Sequence, residues 1–296
     1  MTQARRSLAV LSALVAALAL PLATPAPAAA GPAVTAAGPA ALATTTGSLS
    51  AAPSTMASLG DSITRGFNAC GFYFDCTSRS FSTGTTSSVN SHYLRIRAVN
   101  PQLDGRNYNE ARSGARAADL PGQAGAAVSR GAQYVTVLIG ANDACTSTEA
   151  TMTPVATFRG HIDTALDRLK AGLPTAQVLV VSIPDVRRLW DVGRVNGSAR
   201  MAWSLFRICQ SMLANPTSTA QADVDRRARV RQRVIDYNTQ LAQACAAYGP
   251  NCRFDGNAVF GYPFVLSQVS TWDYFHPNTT GQTVLASITY AAGFGW

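Results

Sequence analysis

The chain reads as short, largely apolar runs separated by longer segments whose apolar residues recur every three or four positions. Largely apolar runs lie at 56–59, 134–139 and 177–183, the second rich in β-branched residues, the pattern of strands buried on both faces. Weaker candidates lie at 108–111 and 253–254. Helical spacing marks 91–99, 118–130, 158–173, 230–247 and 280–292. The clearest case is 158–173, where Phe158, Ile162, Ala165, Leu166 and Leu169 share one stripe and Pro174 stops the helix. Residues 185–225 show no simple period but hold Trp190, Trp203 and Phe206, so they read as an insertion bordering a pocket.

Strands and helices therefore alternate. That order predicts an α/β domain in three α/β/α layers, with a central parallel sheet covered on both faces. In such sheets the working site lies beyond the carboxyl ends of the strands. Three turn-rich loops fall there: Gly60-Asp61-Ser62, Arg112-Ser113-Gly114 and Gly140-Ala141-Asn142-Asp143. The first predicts a strand feeding a tight turn, with Ser62 at the start of a helix whose free N–H groups face an oxyanion. The plainer role for Asp61 or Ser62 is a helix N-cap.

Composition narrows the setting. The chain of 296 residues has 47% hydrophobic and 14% charged residues, which suits a packed core and excludes a disordered chain. Its net charge of +8 is carried almost wholly by arginine, with Lys170 the sole lysine. Arg226, Arg227, Arg229, Arg231 and Arg233 form a dense run, expected on the solvated side of a helix, with anionic lipid or polymer as the sharper alternative. No nucleic-acid motif accompanies it. Arg5 and Arg6, an apolar stretch to about residue 23 and Ala28-Ala29-Ala30 predict a secretory signal peptide over 1–30. Residues 31–54 read as a low-complexity leader and 55–296 as the folded domain. Six cysteines (Cys70, Cys76, Cys145, Cys209, Cys245 and Cys252) predict three disulfides in an exported chain. Six cysteines allow 15 connectivities. The closeness of Cys70 to Cys76 and of Cys245 to Cys252 suggests two local loops, leaving Cys145 and Cys209 as a longer staple. Metal-ligand spacing is missing, so no metal site is expected.

A serine on such a turn becomes a nucleophile given a base, an orienting carboxylate and oxyanion donors. His92 and His161 fall within predicted helices and read as structural. His276 lies in a loop before the last helix, with Asp273 three residues upstream, so Asp273 can hold Nδ1 while Nε2 faces Ser62. The expected oxyanion donors are the backbone N–H groups of Ser62 and Gly114 and the side-chain amide of Asn142. Glycine at 114 allows close backbone approach. Each piece has a plain structural alternative: turn residues at 114 and 142, a chance Asp-x-x-His at 273–276. The order of all four at strand ends favours the chemistry.

Gly60-Asp61-Ser62, residues 109–114, Gly140-x-Asn142-Asp143 and Asp273-x-x-His276 resemble the four blocks of the SGNH (GDSL-type) hydrolases, over about residues 56–290. Ile63 stands where the shorthand motif has leucine. The resemblance implies a flavodoxin-like fold, a Ser62-His276-Asp273 triad, and Ser62, Gly114 and Asn142 as oxyanion donors, with no cofactor. Residues 79–84, 113–121 and 142–145 are similar to the phospholipase-B-like branch, which favours lipid or phospholipid esters. The alternatives are a carbohydrate acetylesterase of the same fold, or a non-catalytic secreted module that binds lipid or polymer. Expected partners are a small-molecule or lipid ester and, transiently, a lipid surface, with no nucleic acid and with the chain a monomer.

Overall fold

The computed structural model of the protein describes residues 51–296. The expected signal peptide and most of the expected leader lie outside the described residues. Five strands form one parallel sheet in the order β2-β1-β3-β4-β5. They are β1 Met56–Gly60, β2 Asn107–Asn109, β3 Tyr134–Leu138, β4 Gln177–Val180 and β5 Cys252–Phe254. The register pairs Met56 with both Asn107 and Tyr134, Tyr134 with Gln177, and Val178 with Cys252. All carboxyl ends therefore share one edge. β1 and β3 are buried along their whole length, which is why they read as largely apolar runs, broken only by the buried hydroxyls of Ser58 and Thr136.

The helices are α1 His92–Val99, α2 Leu120–Ser129, α3 Ala141–Ala144, α4 Val155–Gly172, α5 Val186–Gly193, α6 Gly197–Leu205, α7 Gln210–Leu213, α8 Gln221–Tyr248, α9 Ala258–Gly261 and α10 Thr279–Ala291. α2, α4 and α8 pack side by side. α4 buries the predicted stripe of Phe158, Ile162, Ala165, Leu166 and Leu169. Phe158 stacks on Tyr237 of α8 with ring centres 4.2 Å apart. On the other face, His92 joins α1 to the sheet and to α10: Nδ1 lies 2.8 Å from the Tyr134 hydroxyl and Nε2 lies 2.7 Å from Thr289 Oγ1. His92 is thus a satisfied core residue, and burial pushes its pKa down to about 3. Alternation along β3 sends Tyr134 and Thr136 to the His92 side and Val135 and Val137 to the other.

Two expectations change. Residues 185–225 are helical, built of α5, α6 and α7; the period was obscured because each helix is short. The arginine run on α8 is not a free basic face. Arg226 donates to the carbonyls of Ala214 and Ser211, and Arg227 is buried against Trp190. Arg229 pairs with Glu149, Arg231 with Asp185, and Arg233 donates to the Thr153 carbonyl. The chain closes disulfides Cys70–Cys76, Cys145–Cys209 and Cys245–Cys252. No helix among the described residues is long and apolar enough to cross a membrane.

Candidate active site

β1 delivers Ser62 to the carboxyl edge of the sheet through a turn that tolerates no side chain at Gly60. A Cβ there would sit 2.3 Å from the Leu138 carbonyl oxygen and 2.4 Å from Thr64 Oγ1. Asp61 closes the turn, its Oδ1 accepting the Ile63 N–H at 2.9 Å. The expected helix after Ser62 does not form. The N–H of Arg65 reaches back to the Asp61 carbonyl, that of Gly66 to Ile63 and that of Phe67 to Ser62. This mixed winding of overlapping turns has positive φ at Gly66 and Asn68, which no α-helical ladder can continue. Local N–H groups, without an α-helix behind them, therefore surround Ser62.

His276 arrives from the loop before α10. A bridge between Val269 and Pro277 and the bond from Ser270 N–H to the His276 carbonyl pinch this loop shut. Within it, Asp273 Oδ1 accepts the N–H groups of Phe275 and His276 at 3.0 and 3.1 Å. Asp273 Oδ2 lies 2.5 Å from His276 Nδ1, and His276 Nε2 lies 2.7 Å from Ser62 Oγ. A carboxylate facing Nδ1 holds the proton there and leaves Nε2 as an acceptor for the Ser62 hydroxyl. The imidazole is flanked by Phe67 and Phe275, with ring centres 4.9 and 5.1 Å away.

The two other loops carry the remaining predicted residues. Gly114 adopts φ +82°, and no atom lies within 4 Å of where its Cβ would be. Among the described residues no acceptor takes the N–H of Ser62 or of Gly114. Asn142, in α3, donates one amide hydrogen to the Ala115 carbonyl at 2.9 Å, which ties it to the Gly114 loop and leaves a second hydrogen. Asp143 anchors this corner: Oδ2 accepts the Ala117 N–H and Oδ1 the Thr153 hydroxyl. Burial raises the Asp143 pKa. Burial also pushes Asp61 up to about 7, opposed by its bond from Ile63 and by nearby His276.

An apolar cavity of about 60 Å³ reaches the site through the chain neighbours of Ser62 and His276, Ile63 and Phe275, and is lined further by Leu189, Val192, Phe264 and Val269 among others. α5 supplies its wall, so the 185–225 segment does border a pocket. The aromatic residues singled out in that segment do not line it. Trp190 is packed among Arg187, Arg194 and Arg227, and Trp203 donates its Nε1–H to the Tyr274 carbonyl.

Asn68 escaped the sequence reading. Its Nδ2 donates to Asp273 Oδ2 at 2.7 Å, adding a fourth hydrogen bond to that carboxylate. An isolated asparagine in a turn carries no periodic or spacing signal. Asp75 was missed likewise; it pairs with Arg65 at 2.8 Å and accepts the Ser113 hydroxyl, coupling the Cys70–Cys76 loop to the Gly114 loop.

Among curated proteins, none matches the sequence. Several solved structures align with its fold. A protein described as a GDSL-like lipase from Parabacteroides merdae aligns with TM-score 0.51 at 17% identity, over 80% of this chain and 94% of its own. An extracellular lipase from Streptomyces rimosus aligns with TM-score 0.47 at 22% identity, over 80% and 99%. A phospholipase A1 from Streptomyces albidoflavus aligns with TM-score 0.46 at 20% identity, over 81% and 99%. At these identities the first likeness speaks to the fold. The family is carried by the sequence: the pattern of the GDSL-like lipase/acylhydrolases matches residues 56–288. With that match covering most of the chain, and with the parallel sheet it calls for, the protein belongs to the GDSL (SGNH) family of lipases and acylhydrolases.

Proposed function

We propose that the protein is an exported serine esterase that cleaves carboxylic ester bonds of lipids or phospholipids, with Ser62, His276 and Asp273 as its triad. The observation that carries this reading is the hydrogen-bonded line from Ser62 Oγ to His276 Nε2 and from Nδ1 to Asp273 Oδ2. His276 Nε2 takes the proton as Ser62 Oγ attacks the ester carbonyl. The tetrahedral oxyanion receives hydrogen bonds from the N–H groups of Ser62 and Gly114 and from Asn142 Nδ2. The intermediate collapses, the ester C–O bond breaks, and His276 protonates the leaving alcohol. Water, deprotonated by His276, then attacks the acyl-enzyme and releases the acid with Ser62 restored. Asp273 stabilises the imidazolium formed in both halves.

Two further features support this reading, one for lipid and one for export. The cavity beside Ser62 is walled by aliphatic and aromatic side chains, as an acyl chain requires. Three disulfides accord with export to an oxidising compartment. The test is release of fatty acid from phospholipid and of p-nitrophenol from esters of graded chain length, by wild type and by Ser62→Ala. We expect turnover that rises beyond acetate and disappears in the variant. Equal rates for the two proteins would sink the triad, and activity confined to acetate esters would transfer the reading to a carbohydrate acetylesterase.

A further inference from the structure

Six large apolar side chains on three separate segments stand between 49% and 71% exposed: Phe72, Tyr73 and Phe74, Leu205 and Phe206, and Trp272. Scattered exposed hydrophobics are ordinary, but these are joined. Phe72 stacks on Phe74 with ring centres 5.8 Å apart, and Tyr73 meets Phe206 at 6.3 Å. Trp272 Nε1–H donates to the Gly71 carbonyl at 2.7 Å. The patch also runs into the site itself, because Phe67 lies 5.0 Å from Tyr73 and 4.9 Å from the His276 ring.

The aromatic tip is held in place from below. Disulfide Cys70–Cys76 closes it, the Asn68 N–H donates to the Phe74 carbonyl at 3.0 Å, and Asp75 is clamped by Arg65 and Ser113. The opposing segment is anchored where Trp203 of α6 donates to the Tyr274 carbonyl. A tip so fastened keeps its rings in water without collapsing onto the core. That arrangement costs free energy in the isolated molecule and is repaid when the rings leave water.

We propose that this surface docks on aggregated lipid, a bilayer or micelle, and so brings the mouth of the Ser62 site against its substrate. Three observations select lipid as the occupant. Tyr and Trp, with an apolar body and a polar tip, suit the head-group boundary. The free charge on the patch is basic: Asp75 is neutralised by Arg65, Asp273 is bonded to His276, and Arg207 stands exposed. The patch is also continuous with the candidate reaction centre through Phe67. This docking role rests on the lipid-ester reading, whereas binding to a vesicle requires no turnover.

The test is flotation of the protein carrying Ser62→Ala with vesicles of phosphatidylcholine, pure or mixed equally with phosphatidylglycerol. Adding Phe72→Ser, Phe74→Ser and Leu205→Ser should weaken vesicle binding at least about tenfold. Val99→Ser, exposed on α1 and outside the patch, should leave it unchanged. The mixed vesicles should bind more tightly than the pure ones. In the protein that keeps Ser62, the three substitutions should leave turnover of a soluble short-chain ester within about twofold, which shows that the variant is folded. The proposal falls if parent and triple variant bind vesicles equally or if neither binds. It also falls if the substitutions instead dissolve a dimer seen in solution, since a second copy would then be the occupant. Vesicle binding without ester cleavage would overturn the esterase reading and leave the docking surface standing.

Discussion

Asn68 Nδ2 donates a 2.7 Å hydrogen bond to Asp273 Oδ2 across 205 positions of sequence, and so links the winding that carries Ser62 to the loop that carries His276. The same carboxylate oxygen faces His276 Nδ1. Asn68 therefore sets the direction of the Asp273 carboxylate without reaching the reacting atoms.

Asn68→Ala should leave Asp273 Oδ2 with one fewer donor, held by His276 Nδ1 alone. Hydrogen bonds to charged groups contribute about 1.5–3 kcal/mol, so kcat should fall roughly tenfold to a hundredfold with KM little changed. Asn68→Asp would place a second carboxylate beside Asp273 and should raise the apparent pKa of the base in the kcat profile. An unchanged kcat and an unchanged pH profile in both variants would reduce Asn68 to a packing residue.

Leu189 stands on α5 and lines the cavity beside Ser62. Replacing it with tryptophan should fill the cavity and block long acyl chains. Turnover of decanoate esters should drop about tenfold or more while acetate esters change little, since each methylene held in an apolar pocket is worth about 1–3 kcal/mol. A parallel loss for both chain lengths would show that the acyl group lies elsewhere.

Asp61 and His92 should give opposite slopes to stability against pH. Burial holds Asp61 at about 7 against an ordinary 3.8, so the folded protein keeps a proton that the unfolded chain releases. Its contribution is full below about pH 4 and is lost as pH rises to about 7. His92 is held at about 3 against an ordinary 6.5, so its contribution is present above pH 6.5 and is lost as pH falls towards 3. Asp61→Asn should therefore gain on wild type between pH 4 and 7, by up to about 1.4 kcal/mol per pH unit. His92→Gln should flatten the acid side. Urea midpoints at pH 4, 5.5 and 7 measure both, and curves parallel to wild type would contradict these assignments.

Much of the architecture was legible because local pattern and tertiary environment agree. β3 is mostly apolar because it is covered on both faces, and α4 shows a stripe because one face is buried. Ser62, Gly114, Asn142, Asp273 and His276 were legible for a different reason. As candidates they stand in turns or, for Asn142, in the short helix α3 just beyond a strand end, in one order along the chain. The short helices α5 to α7 were not legible, because four to nine residues give too few repeats to separate a period from chance.

By itself, then, the sequence determined an alternating α/β chain, the strand ends that hold the candidate residues, and the pairs of cysteines near enough to close local loops. Tertiary structure decided whatever depends on distance across the fold. It turned the five arginines of α8 inward or onto acids, so a run of like charge became a set of separate anchors. It made Asn68 the partner of Asp273, and it lined the cavity with Leu189 and Val192 in place of Trp190 and Trp203. It also wound the chain after Ser62 into turns where helix was expected. The physical reason is common to all four. Residue type and spacing record what a side chain can do locally, whereas its partner is chosen by packing among segments that meet only once the sheet has formed.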